Sequence, residues 1–219
     1  HFLRASAGGA LLLTVPACSS IPGFSMTDAI RRLLLLSSER AFLRLTEPGG
    51  YWDGQVARLG LNNLLGTSGN VLTQFLTSAV FKDRLETAFA GIAVEGAERA
   101  APIVAETVRI IGIPAAVELV RGGPQAATSF LRGEMGGRLI DEMVPELGDA
   151  IRIASDPLVG QLVQQLTGTD VGGIAQRLAN SVDDSIWQEI GLEEAAIRAA
   201  PGSTGAPLLM GALGTGGLF

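Results

Sequence analysis

The spacing of apolar residues along this chain excludes strands and favours helices. No segment alternates β-branched apolar residues with polar ones at the period of two that a half-buried strand requires. Apolar positions recur instead at helical spacing, as in Ile30, Leu33, Leu34, Ala41 and Leu45. Aromatic residues are only 5% of the sequence, against 47% for all hydrophobic residues, so the core depends on Leu, Ala, Val and Ile. We therefore predict an all-α fold, a single irregular multi-helix bundle of about seven to eight helices with turns delimited by Pro and Gly.

Capping residues and helix breakers give the predicted helix boundaries. Ser25, with Asp28 three residues later, predicts the start of the first helix, and Pro48-Gly49-Gly50 predicts its end. The Gly- and Asn-rich segment 49–70 is predicted to be an irregular connection with at most one short helical turn. The remaining predicted helices cover 70–79, 83–110 with a kink or split at Pro102, 114–121, 124–143, 145–166 with a break at Asp156-Pro157, 170–190 and 192–199.

The N-terminal residues have the pattern of an export signal. Arg4 precedes an apolar run from Ala5 to Ala17, which is shorter than the about 20 apolar residues of a transmembrane helix. Val15-Pro16-Ala17-Cys18 resembles the bacterial lipobox, although Pro16 is unusual there, and lipidation of Cys18 is the preferred interpretation. Plain secretion after a small-x-small site and a buried free thiol stay open as alternatives.

This interpretation divides the chain into four regions. We expect a signal peptide over 1–17, truncated at its N-terminus because the chain begins with His rather than Met, and a lipid-attached linker over 18–24. A helical domain follows over 25–200. For the Gly-rich tail over 201–219 we expect terminal disorder or weak docking. Ser19 after the acylated cysteine resembles lipoproteins of the outer membrane, so we expect the periplasmic face of that membrane. Without acylation the protein would be soluble in the periplasm.

The mature chain would lack the residue types on which much hydrolytic and metal-dependent chemistry depends. His1, the only histidine, leaves with the signal, which excludes Ser-His-Asp and Cys-His catalysis and histidine-based zinc sites. Cys18 is the only cysteine, so no disulfide forms within the chain. Lys82, the only lysine, is not part of a phosphate-binding loop. We predict no catalytic residues, no cofactor and no metal, and an enzyme is the less favoured class.

Charge and aromatic residues leave a few alternatives open. The net charge of −6 and the scattered arginines disfavour nucleic-acid binding, whereas the 22 Asp and Glu residues could supply an acid/base pair. Glu134 and Arg138 begin a series of charges at helical spacing, for which a solvated face of ion pairs is the preferred interpretation. Tyr51 and Trp52 predict a ligand platform or, preferably, an aromatic plug in the core.

The most distinctive segment is residues 113–132. A short helix with Ala115-Ala116-Val117-Glu118-Leu119-Val120 leads into Gly122-Gly123, and Ala126-Ala127-Thr128-Ser129-Phe130-Leu131-Arg132 follows. This succession resembles a bacterial family catalogued as domain of unknown function 4197, and the resemblance extends over roughly residues 25–200. Arg58-Leu59-Gly60-Leu61 departs from the Ile-Pro-Leu-Pro segment that is frequent in the family. The resemblance implies an exported helical protein and no particular activity.

The same segment has a direct physical interpretation. Gly122-Gly123 predicts a left-handed helix cap, Ala126 and Ala127 allow close helix packing, and Phe130 is expected in the core. Packing does not explain Arg132, whose guanidinium must reach water or a carboxylate.

Three functions are compatible with these features. The preferred hypothesis is a lipid-anchored periplasmic protein without catalysis, which contacts the membrane through its lipid and binds a protein partner or organises the envelope. The alternatives are a carrier of an apolar small molecule or lipid and a carboxylate-based glycan hydrolase. The residues predicted to form a functional surface are Arg132, Glu134, Arg138, Tyr51 and Trp52.

Overall fold

The computed structural model describes residues 25–65, 78–153, 157, 159–161 and 171–214, and every regular element in these ranges is helical. In chain order the elements are α1 (Met26–Leu45), α2 (Tyr51–Leu59), α3 (Leu61–Leu65), α4 (Ala79–Ile110), α5 (Ala116–Arg121), α6 (Ala126–Met135), α7 (Arg138–Ile153), α8 (Val171–Ala199), the 3-10 helix η1 (Pro201–Thr204) and α9 (Pro207–Gly214). The predicted all-α bundle is confirmed, with slightly more helices than expected within this part of the chain.

Helix α8 forms the centre of the bundle, and α1, α4 and α7 pack around it. Its residues Leu178, Val182, Ile186 and Ile190 follow one another at intervals of four and are fully buried. Gly96 of α4 allows close helix packing, because a Cβ at this position would lie 3.1 Å from the Leu147 side chain. One continuous apolar core therefore joins the long helices.

The start of α1 agrees with the sequence prediction, whereas the segment after it does not. Ser25 is the N-cap, and its hydroxyl accepts a hydrogen bond of 3.4 Å from the Asp28 N–H. The segment predicted to be irregular contains helix α2, which begins at Tyr51. Trp52 and Val56, four residues apart, are both buried, so α2 has an apolar face that packs on the core. The prediction of an irregular connection is wrong for this part.

Several predicted boundaries also differ from the structure. The break expected at Pro145 occurs at Gly136, whose φ of +54° ends α6, while Pro145 lies inside α7. Pro102 lies inside α4 and does not split it. Helix α8 continues through Gly191, where two helices were predicted. An interior proline removes only one backbone hydrogen bond, whereas a glycine with positive φ turns the chain. Gly191 does not have a positive φ, and α8 continues through it.

The described part of the C-terminal region packs against the bundle. Helix α9 contacts α1 and η1, and its Leu209 is fully buried. Of the two predicted alternatives, disorder or docking, residues 201–214 show docking. Most of the predicted helix 70–79, the break at Asp156, and the signal peptide with Cys18 lie outside the described residues. Among the helices that are described, none has both the length and the apolar character of a membrane span.

Candidate functional site

The aromatic pair of the predicted surface belongs to the packing of α2. Trp52 is buried, and its indole Nε1 donates a hydrogen bond of 2.7 Å to the Leu45 carbonyl. The rings of Tyr51 and Trp52 are 5.1 Å apart and nearly perpendicular, at 85°. For Trp52 the interpretation as an aromatic plug is confirmed.

Glu134 and Arg138 do not share a helix. The chain turns at Gly136 between them, so that Glu134 ends up on α6 and Arg138 on α7, both exposed. Neither forms an ion pair with another residue in the described ranges. The interpretation of these charges as one ion-paired helical face was therefore wrong, because the spacing is helical only if the helix is continuous.

Arg132, which was expected to reach water or a carboxylate, contacts two carboxylates. Its guanidinium lies 3.2 Å from an Asp183 carboxylate oxygen and 2.6 Å from one of Asp184. The other oxygen of Asp183 accepts a hydrogen bond of 2.8 Å from the Trp187 indole. Burial raises the pKa of Asp183 above its usual value, while the Trp187 hydrogen bond and the Arg132 charge act in the opposite direction. This cluster joins α6 to α8.

A second buried carboxylate on α8 caps the N-terminus of α6. Glu194 has no exposed surface, and its oxygens accept hydrogen bonds from the Ala127 N–H at 3.0 Å, the Thr128 N–H at 2.7 Å and the Thr128 hydroxyl at 2.6 Å. A carboxylate in this position satisfies N–H groups that have no partner within the helix, and the helix dipole favours its charge. The cap that the α6 sequence itself lacks is thus supplied by another helix.

The same pair of residues holds the end of α5. Arg198, four residues after Glu194, donates to its carboxylate at 2.7 Å and to the carbonyls of Val120 at 3.0 Å and Leu119 at 2.9 Å. The α5–α6 turn is therefore held on both sides by one buried ion pair of α8. We call Glu194 and Arg198 the turn clamp.

The glycines next to the turn clamp are required by close contacts rather than by positive φ. Gly122 is extended, at φ −69° and ψ −179°, so the predicted left-handed cap was wrong. A Cβ on Gly122 would lie 2.6 Å from the Ala126 Cβ. One on Gly191 would lie 2.9 Å from the Gln125 side chain. Close packing within residues 113–132 and against α8 thus explains why glycine occurs at these positions.

A third acidic cluster on α8 was not anticipated from the sequence. Arg44 of α1 binds the buried Glu189 at 2.5 Å and Glu193 at 2.6 Å. The available signal was that Asp183, Glu189 and Glu194 fall at helical spacing from the apolar residues of α8, on the side of the helix where a buried carboxylate requires a partner. No group of three His, Cys, Asp or Glu residues suited to a metal ion occurs in the described ranges.

A groove lies between α1 and α4. Its volume is about 650 Å³. Its wall combines apolar side chains with charges from both helices, and is formed by Arg32, Leu35, Ser38, Glu39, Phe42, Leu43, Thr46, Glu98, Ala101, Pro102, Ala105 and Arg109. We call this surface the α1/α4 groove.

The two ends of the α1/α4 groove differ in charge. Arg31, near the start of α1, donates to the carbonyls of Val108 and Ile111 at the end of α4, both at 3.3 Å, so the two helices run antiparallel. Arg32 and Arg109 consequently share one end of the groove, and Glu98 lies towards the other. Arg32 has no ion pair among the described residues, and Arg109 has only a 3.8 Å contact with Glu106 between exposed side chains.

The wall of the α1/α4 groove also contains unused hydrogen-bonding capacity. The Ser38 hydroxyl is buried and has no hydrogen-bond partner in the part of the chain that the structure describes, whereas the neighbouring Ser37 hydroxyl donates to the Leu33 carbonyl at 2.8 Å. Pro102 has no N–H with which to continue the hydrogen bonds of α4 to the Glu98 carbonyl. Such polar atoms beside apolar side chains are typical of a ligand-binding surface.

Comparison with known proteins supports the resemblance seen in the sequence. The sequence profile of the family described as protein of unknown function (DUF4197) matches residues 20–214, which include the α5–α6 turn and all of α8. No curated protein sequence and no solved structure shows a significant match. Because the profile covers nearly the whole chain, this protein belongs to the DUF4197 family.

Proposed function

We propose that this protein is a binding module of the bacterial envelope that performs no catalysis, is anchored through lipid at Cys18, and holds its ligand in the α1/α4 groove. The groove is the observation that carries the proposal. Its volume of about 650 Å³ falls within the range of small-molecule sites. Leu35, Phe42 and Ala105 supply an apolar wall, and charges at the ends would fix the orientation of a ligand.

The surroundings of the acidic residues favour binding over catalysis. Glu194 accepts hydrogen bonds from backbone, hydroxyl and guanidinium donors at once, and Glu189 is held by Arg44. A carboxylate whose oxygens are engaged by internal donors is poorly placed to contact a substrate. A glycan hydrolase that used Glu194 or Glu189 would require that side chain to leave its partners. A carrier of an apolar small molecule or lipid is the second candidate, and the apolar wall of the groove favours it.

Photo-crosslinking in the native envelope tests the proposal directly. A benzophenone amino acid at Leu43, which lines the groove and is 69% exposed, is compared with one at Ile153, which is 78% exposed and does not line it. We expect a discrete adduct from position 43 only. Filling the groove with Ala105→Trp should remove that adduct without lowering the thermal midpoint by more than a few degrees. Identical adducts from both positions, or an adduct that survives Ala105→Trp, would contradict the proposed binding site.

Anchoring is tested separately at Cys18. Cells fed a labelled fatty acid should incorporate it into the wild-type protein and not into Cys18→Ser. The wild-type protein should then fractionate with the outer membrane, and the variant should be recovered in the soluble periplasmic fraction. An unlabelled wild-type protein that is nevertheless exported would leave plain secretion as the correct interpretation.

A further inference from the structure

We infer that the α1/α4 groove takes one acyl chain of an anionic phospholipid from the membrane in which the protein is anchored, with the lipid phosphate bound at Arg32 and Arg109. The inference rests on the proposed function and specifies its ligand. It is carried by the charge at one end of the groove, by the length of the groove, and by the position of that end relative to Cys18.

The charge at the Arg32 end selects an anionic head group. Guanidinium groups bind phosphate oxygens through paired hydrogen bonds, and neither Arg32 nor Arg109 has a strong partner among the described residues. The exposed Arg109–Glu106 contact at 3.8 Å is too weak to compete with a phosphate. Glu39 lies about 10 Å farther along α1, at 1.5 Å per residue, and disfavours a second anion there. An amphiphile is therefore oriented with its head at the Arg32 end.

The length of the groove fits a single acyl chain. The distance along α1 from Arg32 to the C-cap residue Thr46 is about 21 Å at 1.5 Å per residue. One acyl chain spans half of the hydrocarbon core of a bilayer, which is about 15 Å. The groove thus has room for one chain with its head group. Phe42 and the small residues Ala101 and Ala105, four apart on α4, supply the apolar contact in its middle.

The Arg32 end is also the end closest to the proposed lipid anchor. Helix α1 begins at Met26, eight residues after Cys18, and so even a fully extended linker spans no more than about 28 Å. Ile110, adjacent to Arg109 in sequence, exposes 69% of its surface at the same end of the bundle. An exposed apolar side chain beside arginines suits contact with anionic head groups. The membrane is therefore the closest source of a ligand.

The experiment uses the mature chain with Cys18→Ser, so that the covalent lipid does not itself bind vesicles. The protein is incubated with vesicles of phosphatidylglycerol and phosphatidylcholine in a ratio of one to three, separated from them, and analysed for bound lipid by native mass spectrometry. We expect one bound phosphatidylglycerol for each protein, enriched at least tenfold over phosphatidylcholine. The variant Arg32→Gln/Arg109→Gln should retain about 100-fold less, because two charge-assisted contacts are lost.

A matched variant distinguishes the effect of the groove arginines on lipid binding from the effect of overall charge. Arg84→Gln/Arg121→Gln removes two exposed arginines that do not line the groove and should leave lipid binding unchanged. Equal binding of the two lipids, equal losses in both double variants, a protein occupant, or a dimer that closes the groove would each overturn the inference. If Ala105→Trp still abolishes the adduct at position 43 in these cases, the groove binds another ligand and the proposed function stands. If Ala105→Trp leaves that adduct in place, the lipid inference and the proposed function are both wrong.

Discussion

Replacing Glu194 with Ala should destabilise the bundle by about 3–5 kcal/mol, the usual cost of leaving the other half of a buried ion pair without its partner. The carboxylate has no exposed surface, and the side chain of Arg198 is only 11% exposed, so water does not replace the lost contact. The N–H groups of Ala127 and Thr128 lose their acceptor as well, and an unsatisfied buried donor costs about 1–3 kcal/mol. Since small domains have about 5–15 kcal/mol of stability, this loss is a large fraction of the total.

The neutral isostere separates the charge from the hydrogen bonds. Glu194→Gln keeps one oxygen as an acceptor for the start of α6 and removes the attraction to Arg198. We expect a loss of about 1–3 kcal/mol, smaller than that of the alanine variant. The double variant Glu194→Gln/Arg198→Met should then show a coupling free energy of about 0.5–3 kcal/mol, as for residues in direct contact.

Urea unfolding followed by circular dichroism measures these differences as shifts in midpoint at constant slope. Glu134→Ala is the matched control, because Glu134 is exposed and has no ion pair among the described residues. Its free energy of unfolding should stay within about 0.5 kcal/mol of the wild type. A loss of less than about 1 kcal/mol for Glu194→Ala would refute the turn clamp as a stabilising element.

Three further outcomes follow from the same contacts. Gly122→Ala should cost about 1–3 kcal/mol in thermal melts because its Cβ would meet that of Ala126 at 2.6 Å, whereas Gly123→Ala, with nothing within 4 Å, should be neutral. The raised pKa of Asp183 means that the folded state binds a proton more readily than the unfolded chain. The contribution of Asp183 to stability is therefore fully present at a pH below its unfolded pKa of 3.8. This contribution is lost as the pH rises through the pKa of the folded state. Asp183→Asn should flatten this part of the stability–pH curve in urea titrations, and an unchanged slope would contradict the assignment. Trp52→Phe should cost about 1–3 kcal/mol by leaving the Leu45 carbonyl without its 2.7 Å donor, which urea unfolding would register.

The fold class was predictable because helical spacing and capping are local properties of the sequence. Ser25 shows this, since the residue and its partner Asp28 are three positions apart. Gly136 and Gly191 show what local sequence cannot predict. The first turns the chain and the second makes room for Gln125, yet both are glycines in helical sequence. Which role a glycine has depends on neighbours that are distant in sequence.

The candidate site was less predictable than the fold. Arg132 was singled out as the residue that packing did not explain, and of the two expected surroundings, water or a carboxylate, the structure shows carboxylates, those of Asp183 and Asp184. No local sequence pattern indicated the α1/α4 groove. Its walls come from residues 32–46 and 98–109, and the pairing of these segments is set by tertiary packing. No local spacing rule relates Arg32 to Arg109.

The turn clamp also imposes an order on folding. The acceptor for the Ala127 N–H lies 67 positions later in the chain, and the donor to the Leu119 carbonyl lies 79 positions later. Contacts over such separations form slowly, because the intervening chain must first be brought together. During synthesis from the N-terminus, the link between α5 and α6 stays open until nearly all of α8 has emerged. A chain that ends before Glu194 therefore lacks the contacts that hold the α5–α6 turn.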